Sequence, residues 1–185
     1  MSQSLLLDIA RESITEVFEA HNTIDKKTLL QEYPILNEPI ASFVTLYFEG
    51  ELRGAMGSVF PKDSLLEEII YNAKAAAFQD ERFEPLKTSE YLQTTIELSL
   101  LTPLTELKYT NLEEIKEAVN PREDGLVIIS GKKQAAFLPQ VWSQLPSFEA
   151  FFQGLLKESG LTDLNDSPQI FTFQVEKQRD EPILK

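Results

Sequence analysis

The sequence predicts an α+β fold: a mainly antiparallel sheet, open or closed into a barrel, packed with helices. Three observations point there. Segments 42–59 and 125–138 each read as two short β-rich runs joined through a glycine turn, the pattern of a hairpin. Each hairpin is followed by an amphipathic helix and then another strand. The order hairpin, helix, strand thus occurs twice, from Ser42 to Leu101 and from Gly125 to Lys177. The two copies share no residue-level similarity, so an internal duplication is expected only in structure. Hairpins with few long crossovers favour antiparallel pairing over a parallel α/β sheet.

The first element is a helix over residues 2–20, where Leu6, Ile9, Ile14, Val17 and Phe18 fall near one stripe. His21 and Asn22 end it, with His21 as an exposed cation near the helix C-terminus. A short helix follows over 25–32, capped by Asp25, and Pro34 and Pro39 bound an irregular connection. In the run 42–49, Phe43, Thr45 and Tyr47 alternate with Val44, Leu46 and Phe48, which predicts a strand apolar on both faces. Glu49 and Gly50 form the turn into a second strand, 52–59. Ser64 and Glu67 fit a capping box at the start of the next helix, whose stripe is Leu66, Ile69, Ile70, Ala73 and Ala77. Its run of alanines, Ala75 to Ala77, predicts close packing on the sheet.

After a loop at 80–85 comes a strand at 94–101, with Ile96, Leu98 and Leu100 on one face and Thr95, Glu97 and Ser99 on the other. Pro103 ends it. Asn111 caps a short helix reaching Val119. Strands at 125–130 and 133–138 follow, then a helical turn from Pro139 to Leu145. A helix begins at Pro146 and Ser147, carries Phe148, Phe151, Phe152, Leu155 and Leu156 on its apolar face, and is closed by Gly160. The last strand is 169–177, with Phe171, Phe173 and Val175 toward the core.

Length and composition suit a single domain over residues 1–177, with 178–185 as a flexible tail. The 185 residues are 42% hydrophobic and include 12 Phe, enough for a real core. A formal net charge of −13 argues against phosphate-backbone binding, so nucleic acid is not an expected partner. There is no cysteine and one histidine, His21, which excludes thiol nucleophiles, Cys-ligated metals, Ser-His-Asp catalysis and multi-His sites. The acidic triplet Asp80, Glu81 and Glu84 matches no known metal loop. Neither metal nor cofactor is expected. The N-terminus lacks a basic segment followed by an apolar run, and no window approaches a membrane span, so a cytoplasmic protein is expected.

The stretch Leu52-Arg53-Gly54-Ala55-Met56-Gly57-Ser58 is chemically unusual. Glycines within a strand mark a bulge or a close approach to the backbone. Strict alternation would put Arg53, Ala55 and Gly57 on one face. Together with Asp80-Glu81-Arg82-Phe83-Glu84-Pro85, Glu97-Leu98-Ser99-Leu100-Leu101 and Phe137-Leu138-Pro139-Gln140-Val141, in this order between about Phe43 and Leu161, the stretch resembles the AMMECR family. Bacterial and archaeal members of that family are also called AmmeMemoRadiSam system protein A. The resemblance implies the same α+β class and partnership with a MEMO-like protein and a radical S-adenosylmethionine protein. It implies no settled activity. The family pattern has cysteine where this chain has Ala55 and usually isoleucine where it has Met56.

Two roles are open for the motif residues. Arg53, flanked by glycines, can clamp a carboxylate or phosphate, or it can pair with Glu97 or Asp80. Asp80 and Arg82 can face a ligand or hold a loop that packs Phe83. Glu97 and Ser99 can line the same pocket if their strand adjoins. The leading expectation is an accessory binding module that docks a partner or a small anionic ligand through Arg53, Gly54, Ala55, Gly57, Asp80, Arg82, Glu97 and Ser99. The alternative is an enzyme with Arg53 as anion clamp and Glu97 or Asp80 as general base.

Overall fold

The first hairpin forms as its alternation requires. In a computed structural model describing residues 3–183, β1 (Ser42–Phe48) and β2 (Glu51–Gly57) pair antiparallel. Glu49 and Gly50 join them at φ 53° and 84°, the left-handed pair that a two-residue type I′ turn needs. Helix α1 (Gln3–Glu19) precedes them, as does α2 (Lys26–Glu32), whose first turn is capped by the Asp25 carboxylate accepting from the Thr28 N–H. Of the expected α1 stripe, Leu6, Ile9 and Ile14 are buried and Phe18 packs against the core, whereas Val17 faces solvent. Ser2, expected to begin α1, lies outside the described residues.

Helix α3 (Leu65–Phe78) buries all five expected stripe residues. Its start differs from the expected capping box. Ser64 makes no side-chain cap, and Glu67 instead pairs with Lys26 at 2.7 Å. The Glu68 carboxylate reaches back, with Oε1 accepting from the N–H groups of Lys62 (2.8 Å) and Asp63 (3.2 Å). The short helix α4 (Thr88–Tyr91), which periodicity does not reveal, precedes β3 (Thr94–Leu101), which has the expected bounds. Strand β1 lies between β2 and β3, and β8 (Val175–Arg179) completes the sheet in the order β2-β1-β3-β8. Val44, Leu46, Ile96 and Leu98 on one face pack with Leu66, Ile69 and Ala73 of α3 and with Leu6 and Ile14 of α1. Each such large side chain contributes about 1.5–3 kcal/mol on burial.

The second sheet has the order β4-β7-β5-β6, from β4 (Thr105–Leu107), β5 (Gly125–Ser130), β6 (Lys133–Phe137) and β7 (Gln169–Phe173). Helix α5 (Leu112–Ala118) is capped by Asn111 as expected, and α6 (Phe148–Ser159) ends at Gly160 with φ 75°. Trp142 lies stacked on Phe151 with ring centroids 3.8 Å apart and donates its indole N–H to the Asp124 carbonyl. It is a core residue, as are Phe148 and Phe152.

The two sheets are separate and neither closes into a barrel. The chain contacts divide into two compact units, Met1–Leu100 with Glu176–Lys185 and Leu101–Val175, each with its own apolar cluster. The expected final strand is two strands. β7 ends at Phe173, and Gln174 leaves the ladder to exchange bonds with Thr102, so β7 and β8 enter different sheets. Within β7 it is Ile170 and Phe173 that are buried, while Phe171, and Val175 at the start of β8, are half-buried.

The expected loose tail begins as sheet: Gln178 and Arg179 belong to β8, and Arg179 stacks over the Tyr47 ring. Beyond the strand, Asp180 is held at both oxygens. Oδ2 accepts from Arg11 Nε at 2.7 Å and Oδ1 accepts from the Ile96 N–H at 2.6 Å. Leu184 and Lys185 lie outside the described residues. Asp180→Ala leaves the Ile96 amide and the Arg11 guanidinium without this acceptor and is expected to destabilise the protein by about 1–3 kcal/mol. Urea unfolding of the variant beside wild type measures this, and an unchanged midpoint would show the tail to be decorative.

Candidate functional site

The unusual stretch forms a bulged edge strand. Pairing steps from Leu46↔Gly54 to Tyr47↔Leu52, so Arg53 is an extra residue with no partner on β1. The bulge interrupts the strict alternation of the strand at Arg53. Gly54 faces the core side, where a Cβ would meet the Ala76 carbonyl oxygen at 2.1 Å. This is the close approach that the alanine run and the glycine together announce. On the opposite side, Gly57 lies across from Phe43, whose ring would meet a Cβ at 2.4 Å.

Segment 80–90 is fastened along this edge. Asp80 Oδ2 accepts the Ala55 N–H at 2.8 Å, and both carboxylate oxygens take Arg82, through Nε at 2.9 Å and Nη2 at 2.6 Å. Arg53 donates to the Glu84 carbonyl at 2.9 Å and to Glu90 through Nε (3.3 Å) and Nη2 (3.1 Å). Its guanidinium also lies 5.8 Å from the Phe83 ring centre. The side chains of Arg53 and Asp80 are only 13% and 7% exposed. Glu90 in turn accepts the Lys87 N–H, so it caps α4 and anchors Arg53 at once.

These contacts set the charge states. The Arg82 guanidinium holds the Asp80 carboxyl far below its ordinary value, against the opposing effect of burial, with the Ala55 and Arg82 amides adding to it. Arg53 and then the Lys87 amide hold Glu90 low in the same way.

Glu97 and Ser99 sit apart from Arg53 in contact terms. Thr45 is flanked by Ala55 on β2 and Glu97 on β3, and Phe43 by Gly57 and Ser99. Those residues form two rows across one sheet face. Glu97 pairs with Lys177 of β8 at 2.9 Å, not with Arg53, and Ser99 is buried. Sequence reasoning missed Glu90 as the partner of Arg53. Its signal was a Lys87–Glu90 spacing within a four-residue helix too short to read.

Beside the motif lies a cavity of about 540 Å³, lined by Met56, Gly57, Ser58 and Phe60 and by Tyr71 and Asn72 of α3. A second, of about 580 Å³, lies in the other unit along β4 and the segment 164–169.

This is an α+β protein of two four-stranded antiparallel sheets, whose motif residues fasten a loop to a bulged edge strand. The chain belongs to the AMMECR1 family, whose model matches residues 7–178. A protein of Aquifex aeolicus is 34% identical over 151 residues, covering 78% of this chain and 75% of the relative. A protein of Saccharolobus solfataricus is 37% identical over 143 residues, 74% of this chain and 61% of the relative, so the match spans less than two-thirds of that relative's length. The crystal structure of the uncharacterised protein PH0010 from Pyrococcus horikoshii superposes with a TM-score of 0.77 at 28% identity, covering 98% of this chain and 93% of that one. Among the described residues no helix is long and apolar enough to cross a membrane.

Two outcomes test this reading of the motif. Gly54→Ala forces a Cβ into a backbone carbonyl and is expected to cost about 1–3 kcal/mol, read from thermal melts, whereas Ala55→Cys should lie within about 0.5 kcal/mol of wild type. Asp80 and Glu90 have folded-state values below their ordinary 3.8 and 4.5, so their contribution is present above those values and is lost as pH falls below them. Urea midpoints between pH 7 and pH 3 should fall less steeply for Asp80→Asn than for wild type. Equal slopes would show that Asp80 carries no such linkage.

Proposed function

We propose that this chain is a non-catalytic accessory binding module that acts with a MEMO-like protein and a radical S-adenosylmethionine protein. The partner classes follow from the family resemblance. The docking surface is the outer side of segment 80–90 on the β2 edge. The observation that carries the reading is the state of the motif's charged residues. Arg53 is committed to Glu90 and the Glu84 carbonyl, and Asp80 to Arg82 and the Ala55 amide. Their role is to present the loop, whose Glu81, Arg82, Glu84 and Pro85 are exposed.

The enzymatic alternative finds less support. A clamp needs a guanidinium with donors to spare beside open space, and a general base needs a carboxylate whose value is raised toward neutrality. Asp80 is shifted the other way, and Glu97 is paired with Lys177. The half-buried Ala55 offers no nucleophile where the family pattern has cysteine.

The test is titration of purified wild type and of Glu81→Lys/Glu84→Lys with the MEMO-like and radical proteins encoded in the same genome, by calorimetry. Both substitutions are at exposed side chains and spare the Glu84 carbonyl used by Arg53. Wild type should bind at least one of the two, with the variant weakened about tenfold or more. Binding to neither by wild type would overturn the accessory reading, and equal binding by the variant would move the docking surface elsewhere.

A further inference from the structure

The cavity at the end of the motif strand is built to accept hydrogen-bond donors. It lies between the last residues of β2 and the N-terminal half of α3, and its volume of about 540 Å³ falls in the range of small-molecule sites. Two polar side chains on it are almost wholly buried, Glu68 at 8% and Asn72 at 2% exposure. Their existing bonds fix what they have left to offer. Asn72 Nδ2 donates to the Ser42 carbonyl at 3.1 Å and to Ser42 Oγ at 3.2 Å, so both amide hydrogens are used and the remaining capacity is the acceptor Oδ1. Glu68 Oε1 already takes the Lys62 and Asp63 amides, which leaves Oε2, again an acceptor. The Ser58 hydroxyl donates to the Phe60 carbonyl and accepts the Phe60 N–H, and is occupied.

Charge points the same way. Glu67 is neutralised by Lys26. Lys62 then stands against Asp63 and Glu68, an excess of one carboxylate, in a chain of formal charge −13. The walls are apolar or aromatic: Met56, Phe60 and the Tyr71 ring, which is 59% exposed although it lies on a core-packed helix. An aromatic ring beside a desolvated carboxylate and a second acceptor is the chemistry that recognises an organic cation.

We propose that this cavity binds an ammonium or guanidinium group carried on an apolar or aromatic body. The group sits between Glu68 and Asn72, and the body lies against Tyr71 and Phe60. An anionic ligand, the class first expected for the motif, is disfavoured here. The inference rests on the reading of the chain as a binding module, but not on the identity of its protein partners. The same chemistry can come from a free amine or from a Lys or Arg side chain of a bound chain.

The experiment is an amide-resolved NMR titration of the full chain with phenethylamine and benzamidine as free cations, acetyl-Gly-Arg-Gly-amide as the peptide source, and phenylpropionate as the anionic isostere. The cations should give saturable shifts at Met56–Ser58 and Tyr71–Asn72, with phenylpropionate at least tenfold weaker. Glu68→Gln, which keeps an acceptor for the Lys62 and Asp63 amides, should weaken cation binding about tenfold, and Tyr71→Ala about fivefold. Because Tyr71 is exposed, its variant carries the test if Glu68→Gln fails to fold. A peptide that binds tenfold tighter than the free cations supports the site and assigns it to a partner's side chain; the reverse order supports it and assigns it to a free amine. The proposal is overturned by phenylpropionate binding as tightly as the cations, by binding undiminished in the variants that fold, or by no saturable shift at about 10 mM. Amine binding without any binding of the MEMO-like or radical proteins would sink the accessory reading and leave the cavity's chemistry standing.

Discussion

The bond from the Ala55 amide to the Asp80 carboxylate is the constraint from which the rest of the motif follows. β2 is the outer strand of its sheet, and an edge strand that leaves its amides bare is a template for further pairing. A carboxylate arriving from the end of α3 closes that edge at one point. Its charge, pulled out of water, then needs a cation, and Arg82 two residues away supplies one in a fork-shaped contact. What remains is to hold the loop after Arg82 against the sheet, and the guanidinium of Arg53, at the bulge, does so through the Glu84 carbonyl. Arginine, aspartate and the Phe83 ring are therefore one fastening rather than three separate sites.

That fastening works only because α3 lies in backbone contact with the sheet. With Gly54 below and Ala76 above, the helix carbonyl comes to a spacing that any β-carbon on the strand would violate. The small side chains set the height of α3, and that height sets where Asp80 emerges beyond its C-terminus. The same helix supplies Glu68, Tyr71 and Asn72 near its other end. One packing decision thus determines both the loop on the edge and the cavity beside the end of β2.

Elements with an unbroken period were legible in the sequence. β3 is legible to the residue because Thr95 to Leu100 alternates without interruption and Pro103 closes the run, and α6 because its aromatic stripe ends at a glycine. Elements too short to show a period were not: β4 has three residues and α4 four. The run from Gln169 to Lys177 looks like one strand because alternation is blind to hydrogen bonds, and only Thr102, 72 residues away, reveals the break at Gln174. The candidate site was legible to the same degree. The 52–58 and 80–85 stretches were brought together by the family resemblance, with Asp80 as one of two partners open to Arg53. The sequence could not name Glu90, because Glu90 lies in a four-residue helix with no readable period and the bulge at Arg53 is invisible to alternation. The capping box failed for a related reason: Ser64 and Glu67 have the right spacing, but Lys26, 41 residues earlier, takes the Glu67 carboxylate, and α3 starts without a side-chain cap.

The order hairpin, helix, strand does occur twice, and the sheets show how it is used. In each copy the third strand lies beside the first strand of its hairpin, giving β2-β1-β3 and β6-β5-β7. The strand that follows each copy does not continue its own sheet. β4 follows β3 in sequence but pairs with β7, and β8 follows β7 but joins β3. Each three-stranded layer is therefore completed by the strand that leaves the other copy. A three-stranded layer would expose β3 or β7 as a second edge, with the same unpaired amides that Asp80 closes on β2. Exchange of the fourth strand covers β3 and β7 in both layers with one arrangement and moves the edges to β8 and to the three-residue β4. It also explains why residues 178–180, polar and unpatterned by composition, have fixed partners: Gln178 and Arg179 serve the sheet, and Asp180 ties the Ile96 amide of the strand they cover.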